Sequence, residues 1–198
     1  LKWDSLDSQQ RLDLLRVYAV LLNRMGRPND ATVSHLTAQF DALYPTKGKE
    51  LNVELCNLLV YLGAQDVAEK SLELLAKAPT QEEQIEYARA LRLLKTGWTP
   101  ALRTAYFSWL RSAAGFRGGP SLEGFLKKIK SDAVATLTES EKAELKPLLD
   151  APVQSSNAVV APRPKVKDWT LDELVPLVES GLKQKRDLDR GRTLFGAA

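Results

Sequence analysis

The sequence predicts an all-α fold: a HEAT-like α-solenoid of about four helical hairpins, followed by a linker and one or two short helices. Three observations predict it. Apolar residues recur every three or four positions up to residue 149, helix start and stop signals bracket those runs, and no convincing β-strand interrupts them. A chain of 198 residues, 44% hydrophobic and 27% charged, is ordinary for a globular protein that buries a substantial core.

Residues 7–25 place Leu15, Tyr18, Leu22 and Met25 on one stripe, widened by Leu14, Val17 and Leu21, until Gly26 and Pro28 stop the helix. Val33, Leu36, Phe40 and Leu43 form a second stripe ended by Pro45. Leu51, Leu55, Leu58, Leu59 and Leu62 form a third closed by Gly63, and Val67, Ser71, Leu74, Leu75 and Ala78 a fourth ended by Pro79. Thr80 to Glu83 has the order of a capping box, in which hydroxyl and carboxylate satisfy each other's backbone donors; Tyr87, Leu91 and Leu94 follow before Gly97. Thr99-Pro100 sets a capping hydroxyl ahead of a proline at the first helical position, and Leu102, Tyr106, Trp109 and Ala113 carry that helix. Beyond the 115–120 loop, Leu122, Phe125, Leu126, Ile129, Ala133 and Leu137 make a seventh stripe. Thr138 with Glu141 opens an eighth helix that ends near Leu149.

Short loops make neighbouring helices antiparallel, so the eight helices pair into hairpins starting near residues 7, 50, 80 and 121. Those starts are 43, 30 and 41 residues apart, against a HEAT-type period of about 40 to 47. Helices with apolar surface wider than one stripe and local connections favour stacking. A plain helical bundle is the structural alternative. The expected domains are a helical repeat over 1–149, a Pro-rich linker over 150–168 and a further module beginning in 169–198. In the last, Thr170 with Glu173 forms another capping box ahead of Leu171, Leu174, Val175 and Val178. Ala158 to Ala161, the nearest approach to a strand, lies within the linker.

Catalytic constellations do not stand out. His35 is the one histidine and has no ligand or acid–base partner at helical spacing; a structural or solvated role fits it. Cys56 is the one cysteine, on a Leu-rich helix, and reads as a buried, inert thiol. The loop from Gly115 to Ser121 looks superficially like a phosphate cradle, but it lacks the Gly-Lys-Ser/Thr order after a strand; it reads as a turn capped by Ser121. Arg103, Arg111, Arg117, Lys127, Lys128 and Lys130 cluster with Glu123 the only acid among them. That cluster could face phosphate backbones, although a solvated face is the plainer reading and a net charge of +3 gives little support to nucleic acid. Glu82, Glu83 and Glu86 complement the dipole at a helix start. No apolar run approaches the ~20 residues of a membrane span. The start at Leu1-Lys2-Trp3-Asp4 reads as that of an excised piece.

Two stretches resemble a known family. One comprises Asn52 to Leu55, Leu58 to Gly63, Leu94 to Thr99, Tyr106 to Trp109 and Gly118 to Ser121; the other is Trp169 to Leu174 followed by Asp187 to Phe195. Together they resemble large multidomain bacterial c-type cytochrome proteins, in which a sorbosone-dehydrogenase-like β-propeller precedes HEAT-like helices and a haem module. The resemblance implies that an Arg-Gly-Arg-x-Leu-Phe helix, here Arg190 to Phe195, runs into a haem-attaching Cys-x-x-Cys-His. Leu188 stands where an aromatic residue is expected. Haem ligands would lie downstream of Ala198, so no residue of this chain is assigned to haem, metal or catalysis. The compartment implied is periplasmic or otherwise extracytoplasmic. The expected role is that of a non-catalytic scaffold, its partners being other domains of the same polypeptide and a redox partner protein. The alternatives are a peptide- or protein-binding solenoid and, third, nucleic-acid binding through Arg103 to Lys130.

Overall fold

Helix signals in the sequence become helices in the computed structural model, which describes residues 3–151, 167–183, 185 and 187–191. Contacts divide the chain into two units, Leu1–Gln154 and Ser155–Ala198. In the first, a 3-10 turn at Trp3–Ser5 precedes α1 (Ser8–Met25), α2 (Asp30–Asp41), α3 (Lys49–Leu62), α4 (Val67–Lys77), α5 (Gln81–Leu91), α6 (Pro100–Ala113), α7 (Leu122–Val134) and α8 (Glu139–Asp150). The second contains α9 (Leu171–Lys183). No strand occurs among the described residues, so the fold is all-α.

The helix starts follow their local chemistry. Asp7 and Thr138 each close a complete capping box, with Gln10 and Glu141. Asn29, Thr80 and Thr99 accept from the backbone N–H three residues on. Two expectations are corrected here. Ser121 stands at the cap position of α7, but its side chain makes no cap bond, because its backbone there is already helical. At α5 only half of the predicted box forms: Glu83 turns to Lys49 at 4.0 Å and leaves Thr80 to cap alone.

The helices of the first unit stack in two layers. In one, α1 packs on α3, α3 on α5 and α5 on α7; in the other, α4 packs on α6 and α6 on α8. This local pattern is α-solenoid-like: each of these helices meets the next of its own layer, while α2 packs on α3. Ion pairs bridge successive members of the first layer: Arg16–Glu54 at 3.2 Å, Lys49–Glu83, and Arg92–Asp132 at 3.2 Å. All are partly exposed, so each contributes about 1 kcal/mol or less. The stability lies between the layers, where Leu15, Leu55, Leu58, Leu59, Leu91, Tyr106 and Phe107 are almost wholly buried.

The turns of successive hairpins also meet along one edge. Arg27, between α1 and α2, donates to the Tyr61 and Leu62 carbonyls at 2.9 and 3.0 Å and so caps the end of α3. Thr96, between α5 and α6, donates to the Gly63 carbonyl at 3.3 Å, and Gly97 rests on the backbone of Gln65. Arg103, at the start of α6, reaches the α7–α8 turn, donating to Thr136 at 3.2 Å and Glu141 at 2.9 Å. Each junction therefore satisfies polar groups that the helix ends leave open.

The end helix corrects one reading of the sequence. Leu15 and Leu22 are buried as expected, but Val17, Leu21 and Met25 are exposed. Interior helices of a layer have a neighbour on both sides; α1 has only α3. Leu94 and Leu137 are buried in the turns after α5 and α7, not inside the helices their stripes suggested.

Two tyrosines separate burial from bonding. The Tyr106 hydroxyl donates to the Ala88 carbonyl at 2.7 Å. Tyr87 buries its hydroxyl without a well-formed hydrogen bond, beside Asn52, whose amide is closed on the Thr46 backbone; burial, then the nearby Glu83 carboxylate, pushes that phenol up to about 12. Tyr106→Phe is expected to cost about 1 kcal/mol, whereas Tyr87→Phe should be neutral or stabilising by up to about 1 kcal/mol. Urea denaturation of the two variants measures the contrast.

In the second unit, the carboxylate half of the expected box forms: the Thr170 N–H donates to the Glu173 carboxylate at 3.1 Å, and the Thr170 hydroxyl donates to it at 3.3 Å. Residues 188–191 are helical, with the Arg190 N–H on Asp187 at 2.8 Å. Ala158 to Ala161, most of the predicted tether, and Arg192 to Ala198 lie outside the described residues.

Candidate functional site

Buried polar side chains are the first place to look for chemistry, and among the described residues they are Asn52, Ser71 and Arg103. Asn52 clamps the segment before α3 through both backbone groups of Thr46, at 2.6 and 3.0 Å. Ser71 on α4 joins the Tyr44 hydroxyl at 2.7 Å and the Cys56 thiol at 3.2 Å. Arg103 holds Glu141 and Thr136 and lies over the Trp98 ring, 4.3 Å from its centroid. Each of these groups joins one segment of backbone to another.

Cys56 lies as the sequence suggests, wholly buried on α3. Burial pushes its thiol up to about 11, outweighing the hydrogen bonds of Ser71 and Tyr44 that favour the thiolate. Burial likewise pushes the Tyr44 hydroxyl far up. Because the nucleophile is the thiolate, native protein at neutral pH is expected to resist a thiol reagent. The reagent should react stoichiometrically once urea unfolds the chain; prompt native labelling would place Cys56 elsewhere.

His35 projects from the exposed side of α2, and the described residues contain no group of three or more His, Cys, Asp or Glu side chains able to hold a metal. The 115–121 loop is a connection anchored at its first residues, with 117–121 exposed. The Phe116 ring meets Trp109 edge-on at 5.9 Å, and Gln81 donates to the Arg117 carbonyl at 2.8 Å.

Of the basic residues grouped in the sequence, Arg103 is the one the fold withdraws from the surface. Arg103 is buried in its junction, out of reach of a phosphate backbone. Arg111 borders an open recess of about 330 Å³ with Ser108, Ser112 and Leu148. Lys127 pairs with Glu123 at 2.6 Å, Lys128 with Asp132, and Lys130 donates to the Leu149 carbonyl at 3.3 Å.

The feature that sequence reading missed is acidic. An open groove of about 310 Å³ across α1, α3 and α5 is lined by Arg16, Lys49, Glu50, Val53, Glu54, Glu82 and Glu86. Glu50 with Glu54 and Glu82 with Glu86 are one turn apart on adjacent helices, so two carboxylate pairs share a surface. The free N–H at the start of α5 holds the Glu82 carboxyl below the usual range. Spacing of four on each helix was the available signal; the adjacency of α3 and α5 was not available.

The chain matches no protein-family model, no curated protein and no solved structure.

Proposed function

We propose that this chain is a non-catalytic helical scaffold or spacer within a larger c-type cytochrome electron-transfer protein, positioning a downstream haem module relative to an upstream oxidoreductase domain. The observation that supports the reading best is the use of the buried polar groups. Asn52, Ser71 and Arg103 each join one segment of the chain to another, as the exposed Arg27 guanidinium does at the end of α3, which suits a rigid body that transmits position and performs no reaction. The second support is the resemblance of Trp169 to Leu174 and Asp187 to Phe195 to the approach to a haem module.

The chain's own residues do not fit a c-type haem. Two thioether bonds need two cysteines, and Cys56 is single, buried and on a different helix from the exposed His35. In this reading the haem belongs to a neighbouring module, outside the cytoplasm where such haem is attached, and these helices supply spacing alone. Sequencing the parent coding region tests it. A Cys-x-x-Cys-His within some tens of codons after Ala198 is the expected result, and its absence would defeat the cytochrome part. A single-turnover reaction carried by residues 1–151 alone would defeat the spacer part.

A further inference from the structure

The two ends of the first helical layer differ in chemistry. At one end, α7 turns Glu123, Gly124, Lys127 and Ser131 to solvent, with Lys127 and Glu123 paired. Apart from Phe125, 42% exposed on its flank, that is the polar outer surface with which stacked repeats terminate. At the other end, α1 turns out an apolar stripe. Val17 is 53% exposed, Val20 52%, Leu21 47% and Met25 82%, and half-buried Leu14 extends the stripe towards the helix start. Positions 14, 17, 21 and 25 fall on one side of a helix, opposite the side on which Leu12, Leu15, Ala19 and Leu22 face the core. The stripe therefore faces away from α3, where another helix of the same layer would stack.

The charges beside the stripe indicate what covers it. Asp13 and Arg24 are both exposed and flank it on the same side. When two identical helices pair antiparallel across a two-fold axis, residues on the same flank meet. Pairing α1 so that Val17 meets Leu21 of the other copy brings Leu14 against Met25. The same register sets Asp13 beside Arg24, twice. A parallel arrangement would separate these charges. Asp13 has only an exposed contact to release, from the Gln9 side-chain amide at 2.8 Å.

We propose that α1 is a homodimer interface, in which two copies of this chain pair antiparallel through Leu14, Val17, Leu21 and Met25, with register set by Asp13 and Arg24. The arrangement extends the first layer across the two-fold axis and leaves the polar α7 ends outermost.

Sedimentation velocity on the full chain, from roughly 1 to 200 µM, tests this. A reversible dimer is expected. Leu21→Glu should abolish it while leaving the helical circular dichroism unchanged, and should melt like the wild type at concentrations low enough that both are monomers, because the side chain is exposed in the single chain. Asp13→Arg and Arg24→Asp, made singly, should each weaken it about tenfold, since each creates two like-charge contacts per dimer; the double exchange should restore it. Leu174→Glu, in the exposed apolar face of α9, should leave it intact. A monomer at every concentration would overturn the proposal. So would a dimer that survives Leu21→Glu, one lost on Leu174→Glu, or a double exchange that fails to recover.

Discussion

Gly97→Ala is expected to destabilise the helical unit by about 3 kcal/mol or more, the largest effect foreseen for a single methyl group here. Gly97 has φ +71°, where a side chain is strained, and its added Cβ would lie 2.0 Å from the Gln65 carbonyl oxygen and 2.8 Å from its carbon. Both obstacles are backbone, so no rotamer change relieves them. The α5–α6 turn would have to lift off the α3–α4 turn, weakening the Thr96 contact to Gly63 as well. In a unit of this size the melting temperature should fall by roughly 6 to 12 °C. Gly119→Ala meets open space and is the control, expected to change stability by less than about 0.5 kcal/mol. Equal melting temperatures for the two variants would remove the turn-to-turn contact from this account.

Arg103→Met is expected to cost about 2 to 3 kcal/mol, although methionine fills similar space. It removes the Glu141 ion pair, the Thr136 hydrogen bond and the contact with the Trp98 ring from a side chain only 3% exposed. Arg103→Lys should recover only part of the loss, because one ammonium cannot bond both partners and also lie flat on the indole. Burial pulls the guanidinium's pKa down, against the Glu141 carboxylate that supports its charge. Burial would raise Glu141, but the Thr138 backbone N–H and Arg103 outweigh it and hold its carboxyl below the usual range. A carboxyl depressed on folding contributes stability in full above its unfolded pKa of about 4.5, and that contribution is lost as pH falls through the folded value. Stability measured by urea midpoint from pH 7 to pH 3 should therefore fall on acidification, and less steeply in Glu141→Gln. An unchanged slope would exclude Glu141 from the acid response.

How legible these features were depends on their range. Helix starts were legible because Thr99, Thr138 and Thr170 act on groups three residues away. The core positions Leu15, Leu55 and Leu59 were legible because one helix face carries the signal. What the sequence could not supply was the partner of each face. The outer stripe of α1 has the same periodicity as the inner one, and only the absence of a second neighbour in its layer leaves Val17 and Leu21 exposed. Arg103 looked like one of a cluster of surface cations because its partners, Thr136 and Glu141, lie 33 and 38 residues on. The acidic groove escaped notice for the same reason: its two carboxylate pairs belong to helices that meet only in the fold.

Interhelical nuclear Overhauser effects test the two-layer stack most directly. The account predicts cross-peaks joining α1 to α3, α3 to α5, α4 to α6 and α6 to α8, with Tyr18 and Phe40 ring protons close as their 5.2 Å centroid separation requires. Cross-peaks joining α1 to α7 or α8 within one molecule, as a closed bundle would give, would contradict it.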